Sequence, residues 1–523
     1  LLGIPSEDEI AGRKDADKQP RTLFLINPAF KYKHYGAQDE LSRLMGKKKM
    51  SIPLALPLIA ALTPSHYRIR IIDDETDTIA WDEKPDLVGI TTLVSTIDRA
   101  YVIADRFRSN GVPVVMGGPF ATFMSDEALL HADAVVVGEA EGSWQALLSD
   151  FENGKMDRVY SQKAPSGFNT SPIPRWDLVK TDDLMTLGVQ ASRGCPYNCE
   201  FCLVNKMFGH RMRYRDPDDV IDEIKALPLK KVFFVDDNLT IKKKFAKELI
   251  KKLRPLSISW VCQCSIDVAD DDELLSDMAE SGCLSILIGF ESLRPESLKE
   301  THKTHNRVEE YGKAIAKIHS FGINVLASFV VGFDADTTAD FDHIVAFAEE
   351  NNVLYTMLSV LAAAPGTDLY QRMEDENRLV DCPRDFINGA FPCMRYKHFS
   401  QTEILEKYFS TLRKLQNFSS LRKRALALFE TGAFAKSGIS EKVCLSDKIS
   451  TSALLVRRFL FSSDKEKRAL FKDLFGLIRK KKVSAEAVVV FLLSMQAIRD
   501  YLDNSSLFLE EVRQTAARMD APA

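Results

Sequence analysis

From Thr22 onward the chain alternates short apolar runs with longer amphipathic stretches, and the two periods are easy to tell apart. Runs at 23–26, 69–72, 87–90, 114–116 and 134–137 are continuous and rich in Val, Ile and Leu, so they read as strands buried on both faces. Helical patterns separate them. Strands alternating with helices predict a parallel sheet with crossover helices, a doubly wound α/β domain. Ligands of such sheets bind beyond the carboxyl ends of the strands. The residues there are Asn27, Pro28, Asp73, Asp74, Thr91, Thr92, Gly117, Gly118, Gly138 and Glu139, which form a candidate rim. Turn chemistry alone also favours these residue types, and no Gly-x-Gly-x-x-Gly follows any of the strands, which disfavours a dinucleotide.

A second alternating stretch begins at 187. Its strand candidates are 187–191, 231–235, 259–264, 285–290, 324–331 and 357–362. Six βα units fall short of a closed eight-unit barrel. Between the two stretches, 151–186 carries Pro165, Pro172 and Pro174 among Ser, Asn and Gly and reads as a linker. Beyond 395 the period is helical throughout, at 403–415, 421–428, 452–460, 465–478 and 485–502. The predicted organisation is therefore a loosely ordered N-terminus at 1–21, a doubly wound domain at 22–150, the linker, an open partial barrel at 187–395 and an α-helical domain at 396–523.

Composition narrows the classes. A chain of 523 residues is too long for one hydrophobic core. Lys and Arg number 69 against 74 Asp and Glu, so the balance gives no case for nucleic acid. Nine cysteines, three of them clustered, argue against a disulfide framework and for a reducing, cytoplasmic setting. No apolar run reaches the ~18 residues of a membrane span. In the helical tail, basic clusters at 422–424, 457–458 and 479–482 lie beside Phe and Leu. They fit either a solvated helix face or a peripheral contact with an anionic membrane surface.

The chemistry is concentrated in Cys195, Cys199 and Cys202, spaced C-x3-C-x2-C on a loop with Gly194 and Pro196. Structural zinc takes four protein ligands, and no second pair stands near this loop. Three thiolates match three corners of a [4Fe-4S] cube, leaving one iron open to chelate the amino and carboxylate groups of a small molecule. The spacing, with Phe201 before the last cysteine, resembles the signature of radical S-adenosylmethionine (SAM) enzymes. A doubly wound domain ahead of it, with the stretches 114–122 and 132–142, is similar to the cobalamin-dependent branch of that family. The Asp-x-His-x-x-Gly motif that supplies a histidine to cobalt elsewhere is absent. The segments 260–267, 286–292 and 329–334 and the basic helical tail look most like the group that contains hopanoid methylases.

The resemblance implies a Rossmann-like cobalamin-binding domain, a partial (β/α)6 TIM barrel and a cofactor set of [4Fe-4S] cluster, SAM and cobalamin. Cys195, Cys199 and Cys202 would ligate the cluster. Phe201, Asp236, Gln263, Ser265, Glu291, Ser292 and Ser328 would contact SAM, although Asp236, Asp237 and Glu291 also fit helix caps. Asn27, Pro28, Thr91, Thr92, Ser95, Gly117, Gly118, Thr122, Gly138 and Glu139 would hold cobalamin. The implied reaction is C-methylation of an unactivated carbon through a 5′-deoxyadenosyl radical and methylcobalamin. The substrate class extends to lipids such as a hopanoid, and the electron comes from a flavodoxin or ferredoxin. A cobalamin-dependent oxidoreductase or cyclase without methyl transfer, and a redox-sensing module, are the competing readings. Cys262 and Cys264 share one strand face and are open between core packing, a second metal site and a thiol hydrogen donor.

Overall fold

The computed structural model describes residues 19–32, 36–162, 168–434 and 453–520. Almost all of the expected loose N-terminus, together with His34, Pro165 and Cys444, lies outside them. The first sheet contains β1 (Arg21–Asn27), β2 (Tyr67–Asp73), β3 (Leu87–Thr91), β4 (Val114–Gly117), β5 (Ala134–Val137) and β6 (Val159–Ser161), all parallel, in the order β2-β1-β3-β4-β5-β6. Phe24, Ile26, Val88 and Ile90 pack into one apolar layer, and Leu23, Leu25, Leu87 and Trp144 into the other. Both faces are thus covered, as continuous apolar runs require. The order reverses between β1 and β3, the topological switch point at which such sheets bind ligands. The linker expected at 151–186 contributes β6, a sixth strand on the sheet edge. Only Tyr160 of its three residues is buried, too little to give an apolar run.

The second stretch comprises β7 (Leu187–Val189), the short antiparallel pair β8 (Ser192–Arg193) and β9 (Arg213–Tyr214), then β10 (Lys231–Phe234), β11 (Ser259–Cys264), β12 (Cys283–Glu291), β13 (Asn324–Val331) and β14 (Tyr355–Val360). Its six-stranded sheet runs β14-β13-β12-β11-β10-β7, parallel throughout, and β14 does not pair with β7. The expected open partial barrel is present. Phe290 stacks on Phe329 at 5.7 Å, and both meet Phe347 of the crossover helix Thr338–Glu350, so this parity of the strands faces outward. The opposite parity, including Gln263, Leu287, Gly289, Leu326 and Ser328, faces the lumen and is incompletely buried. A closed barrel fills that interior with side chains; here room remains.

The helical tail divides. Helices Gln401–Leu415 and Ser506–Asp520 join the barrel's core through Leu405, Tyr408, Val512 and Ala516. Helices Phe418–Phe429, Lys465–Arg479 and Ala485–Asn504 build a core of their own around Leu421, Leu474 and Phe491. Not all of the basic clusters face solvent. Arg424 is buried and donates to the carbonyls of Val353 and Leu415 at 2.5 Å each, while Arg422 pairs with Asp473 at 2.6 Å. Among the described residues no helix is long and apolar enough to cross a membrane.

Candidate active site between the two sheets

The cysteine loop leaves β8 at the carboxyl end of the barrel and is fixed from several sides. Asp236, completely buried after β10, accepts from the backbone N–H of Ala191 (3.1 Å), the N–H of Ser192 and the Ser192 hydroxyl (2.6 Å). Glu200, between the second and third cysteines, takes a two-pronged contact from Arg372, at 2.6 and 3.0 Å, and Arg372 also reaches Glu300 and Asp334. Tyr197 stacks on His305 with ring centroids 3.7 Å apart, and Phe201 packs against Phe333. The loop is thereby presented as a rigid element.

Desolvation raises all three thiol pKa values, Cys199 up to about 11 and Cys202 up to about 12. Ligation by iron would release those protons. Among the described residues no group of three or more His, Cys, Asp and Glu converges as the ligands of one ion would.

Around the loop the expected SAM residues divide by what their side chains already do. Asp236 holds the loop, so its carboxylate is not available to a ligand, and neither aspartate caps the helix Lys243–Leu253. Asp237 is different. Its Oδ2 is buried without a hydrogen-bond partner, and burial, reinforced by Asp236, pushes its pKa up to about 7. Glu291 ends β12 at a bulge with φ 62°, an unusual conformation for a residue with a side chain, and binds the ammonium of Lys303. Lys303 is largely buried, its side chain 14% exposed, and the electrostatics of Cys199 and Cys202 act on it. It went unrecognised in the sequence. Gln263 and Ser328 are on the lumen side, as expected. Ser265 is engaged by Asn238 (2.8 Å) and Asp267 (2.5 Å), and the Ser292 hydroxyl accepts from the Arg294 N–H at 3.0 Å. Cys262 and Cys264 lie 3.5 Å apart on the outward parity, both buried, so the thiol-donor reading is dropped.

On the first sheet the candidate rim is also partly spent on itself. The Thr92 hydroxyl donates to the Gly117 carbonyl (2.9 Å) and accepts from the Ala121 N–H (3.0 Å). The Thr122 hydroxyl donates to the Gly118 carbonyl and accepts from the Gly138 N–H. Asn27 donates to Asp73, and Lys49 pairs with both Asp73 and Glu75. Ser95 is buried. Pro28 is buried, whereas Thr91, Gly117, Gly118 and Gly138 are partly open, and a Cβ on Gly138 would point into empty space. The rim therefore offers backbone and small residues around a cradle at the switch point. Glu139 does not present its carboxylate to that cradle, because Arg193 (2.6 Å) and Arg213 hold it at the base of the cysteine loop. Described histidines of this domain pair elsewhere, His66 with Glu152 and His131 with Asp105.

The rim faces the barrel mouth. Phe123, beyond β4, lies where a Cβ on Gly366 would stand, 2.4 Å away, and Gly366 follows β14 with φ 92°. Arg384 bridges to Glu127 at 2.5 Å. A ligand on the rim and a ligand on the cysteine loop would face one another.

Comparison with known proteins agrees with this geometry. Residues 51–148 match the B12 binding domain and residues 189–348 the radical SAM superfamily. Bacteriochlorophyllide d C-12(1)-methyltransferase of Chlorobaculum tepidum is 30% identical over 80% of this chain and 92% of its own length. Hopanoid C-2 methylase of Rhodopseudomonas palustris is 27% identical over 63% and 65%. The fold matches that of the radical SAM methyltransferase TsrM from Kitasatospora setae, with a TM-score of 0.57 and 15% identity, covering 89% of this chain and 99% of that one. The sensing-module reading falls, and the chain belongs to the cobalamin-dependent radical SAM methyltransferases, enzymes of [4Fe-4S] cluster, SAM and cobalamin.

Proposed function

We propose that the enzyme methylates an unactivated carbon of a large, mainly apolar polycyclic molecule, with a tetrapyrrole macrocycle as first candidate and a hopanoid as second. The carrying observation is the 30% identity to a bacteriochlorophyllide methyltransferase across 92% of its length, against 27% across 65% for the hopanoid enzyme. Val261, Leu287, Leu326, Val330 and Met357 on the lumen parity give an apolar guest surface to pack on, beside Gln263 and Ser328.

Cys195, Cys199 and Cys202 are assigned as ligands of the cluster. Asp237, Glu291, Gln263 and Ser328 are assigned to SAM, with Phe201, Ser265 and Ser292 shaping its pocket. The backbone around Thr91, Gly117, Gly118 and Gly138, with Pro28, is assigned to cobalamin. When bound, these cofactors supply the carbon-centred radical and the methyl group, while the protein supplies position and exclusion of water. Asp236 and Glu200 hold the cysteine loop still, and Glu291 with Lys303 keeps a balanced charge pair beside it. An external one-electron donor such as a flavodoxin or ferredoxin completes the set. Three reduced thiolates suit the cytoplasm, and exposed Phe475 beside Arg479 and 480–482 keeps a peripheral membrane contact within the proposal.

The test is a substrate panel. Anaerobically reconstituted enzyme with SAM and reductant is given a bacteriochlorophyllide, a hopanoid extract or neither. Substrate-dependent 5′-deoxyadenosine and a product heavier by one methylene with the bacteriochlorophyllide support the first candidate. Turnover with hopanoids alone transfers the reading to the lipid, and product from neither sinks both.

A further inference from the structure

Arg193 and Arg213 are direct cross-strand partners in the β8–β9 pair that opens the cysteine loop. Like charges in that relation repel, and Arg193 is 6% exposed. The pair carries no carboxylate of its own to balance them. Both neutralising groups come from the other sheet's loop after β5. Glu139 Oε2 accepts from Arg193 (2.6 Å) and from Arg213 (2.9 Å), its Oε1 accepts from Arg213, and Glu141 accepts from Arg193 at 2.8 Å. Gln190 takes the remaining side of the Arg193 fork, and Phe168 lies under its guanidinium at 4.4 Å.

We infer that this Arg193–Glu139–Arg213–Glu141 quartet is a positioning device that sets the cysteine loop relative to the cobalamin rim. Covalent adjacency makes the link short. Glu139 follows Gly138, whose N–H is part of the rim, and Arg193 is two residues from Cys195. Each side of the joint is incomplete without the other, since one buried and one partly buried guanidinium group and two buried carboxylate side chains would otherwise be left unpaired. The charges sum to zero only when the domains are docked. The inference rests on the cofactor assignments above for its catalytic consequence, though not for the joint itself.

The variants are Glu139→Gln, which leaves one excess buried positive charge, and Glu139→Gln with Arg213→Gln, which restores balance. Hydrogen exchange on the full chain without cofactors reads the joint alone. Glu139→Gln is expected to accelerate exchange about tenfold or more in segments 138–143 and 189–195 and to leave β12 and β13 unchanged; the double variant recovers much of the protection. In the reconstituted enzyme, the ratio of 5′-deoxyadenosine to methylated product is expected to rise several-fold in the single variant and fall back in the double. A population that merely unfolds would lower both products together and leave the ratio alone. Unchanged exchange in both segments overturns the joint, and altered exchange with an unchanged ratio overturns its positioning role.

Discussion

Asp236 and Asp237 are neighbours of identical chemistry, and the fold gives them opposite duties. Asp236 is saturated with donors from the cysteine loop, whereas Asp237 keeps an orphaned oxygen and a pKa of about 7. A carboxyl whose folded pKa lies above its unfolded value binds more protons folded than unfolded. Its contribution to stability is therefore full below pH ~4 and is lost as pH rises through about 7. Asp237→Asn should accordingly raise the melting temperature of the cofactor-free protein more at pH 8 than at pH 5, measured by scanning calorimetry. The same variant should flatten the pH dependence of SAM binding, which in the parent strengthens as pH rises through 7. Lys303 makes the complementary case. Lys303→Met leaves Glu291 buried and unpaired, which costs about 3–5 kcal/mol. Adding Glu291→Gln should restore much of the thermal stability without restoring SAM cleavage.

At the scale of elements, what was legible in the sequence tracks how the information is stored. The strands 23–26 and 114–116 announce themselves because both faces are buried and the apolar run is continuous, and 324–331 because its buried positions alternate with half-buried ones at the strand period. β6 was missed because an edge strand with one buried residue carries no such run. The cysteine loop was legible because its ligands are close in sequence. Arg193, Arg213 and Lys303 were not, since their partners lie 54, 74 and 12 positions away and no local pattern encodes them. Glu139, expected to touch cobalamin, spends its carboxylate on Arg193 and Arg213, a pairing that no local pattern encodes either. The basic tail illustrates the converse error, in which a local pattern misleads. Arg424 within the 422–424 cluster is a core residue satisfying two carbonyls. Arg424→Met should orphan both and destabilise the protein by about 1–3 kcal/mol for each, seen as a lower urea midpoint, with no change in sedimentation with anionic vesicles.

The whole molecule is two parallel sheets with their carboxyl ends turned toward each other. The switch point of the first lies across from the open mouth of the second, with Phe123 against Gly366 where they meet. On the proposed function each half has separate work, with SAM serving once as the source of the 5′-deoxyadenosyl radical and once as the methyl donor to cobalamin. That division is the central claim, and isotope accounting tests it most directly. Enzyme supplied with methyl-deuterated SAM, reductant and an accepted substrate is predicted to give equal amounts of 5′-deoxyadenosine, S-adenosylhomocysteine and product bearing the intact labelled methyl group. Substrate-dependent 5′-deoxyadenosine with no S-adenosylhomocysteine and no label in the product would contradict it.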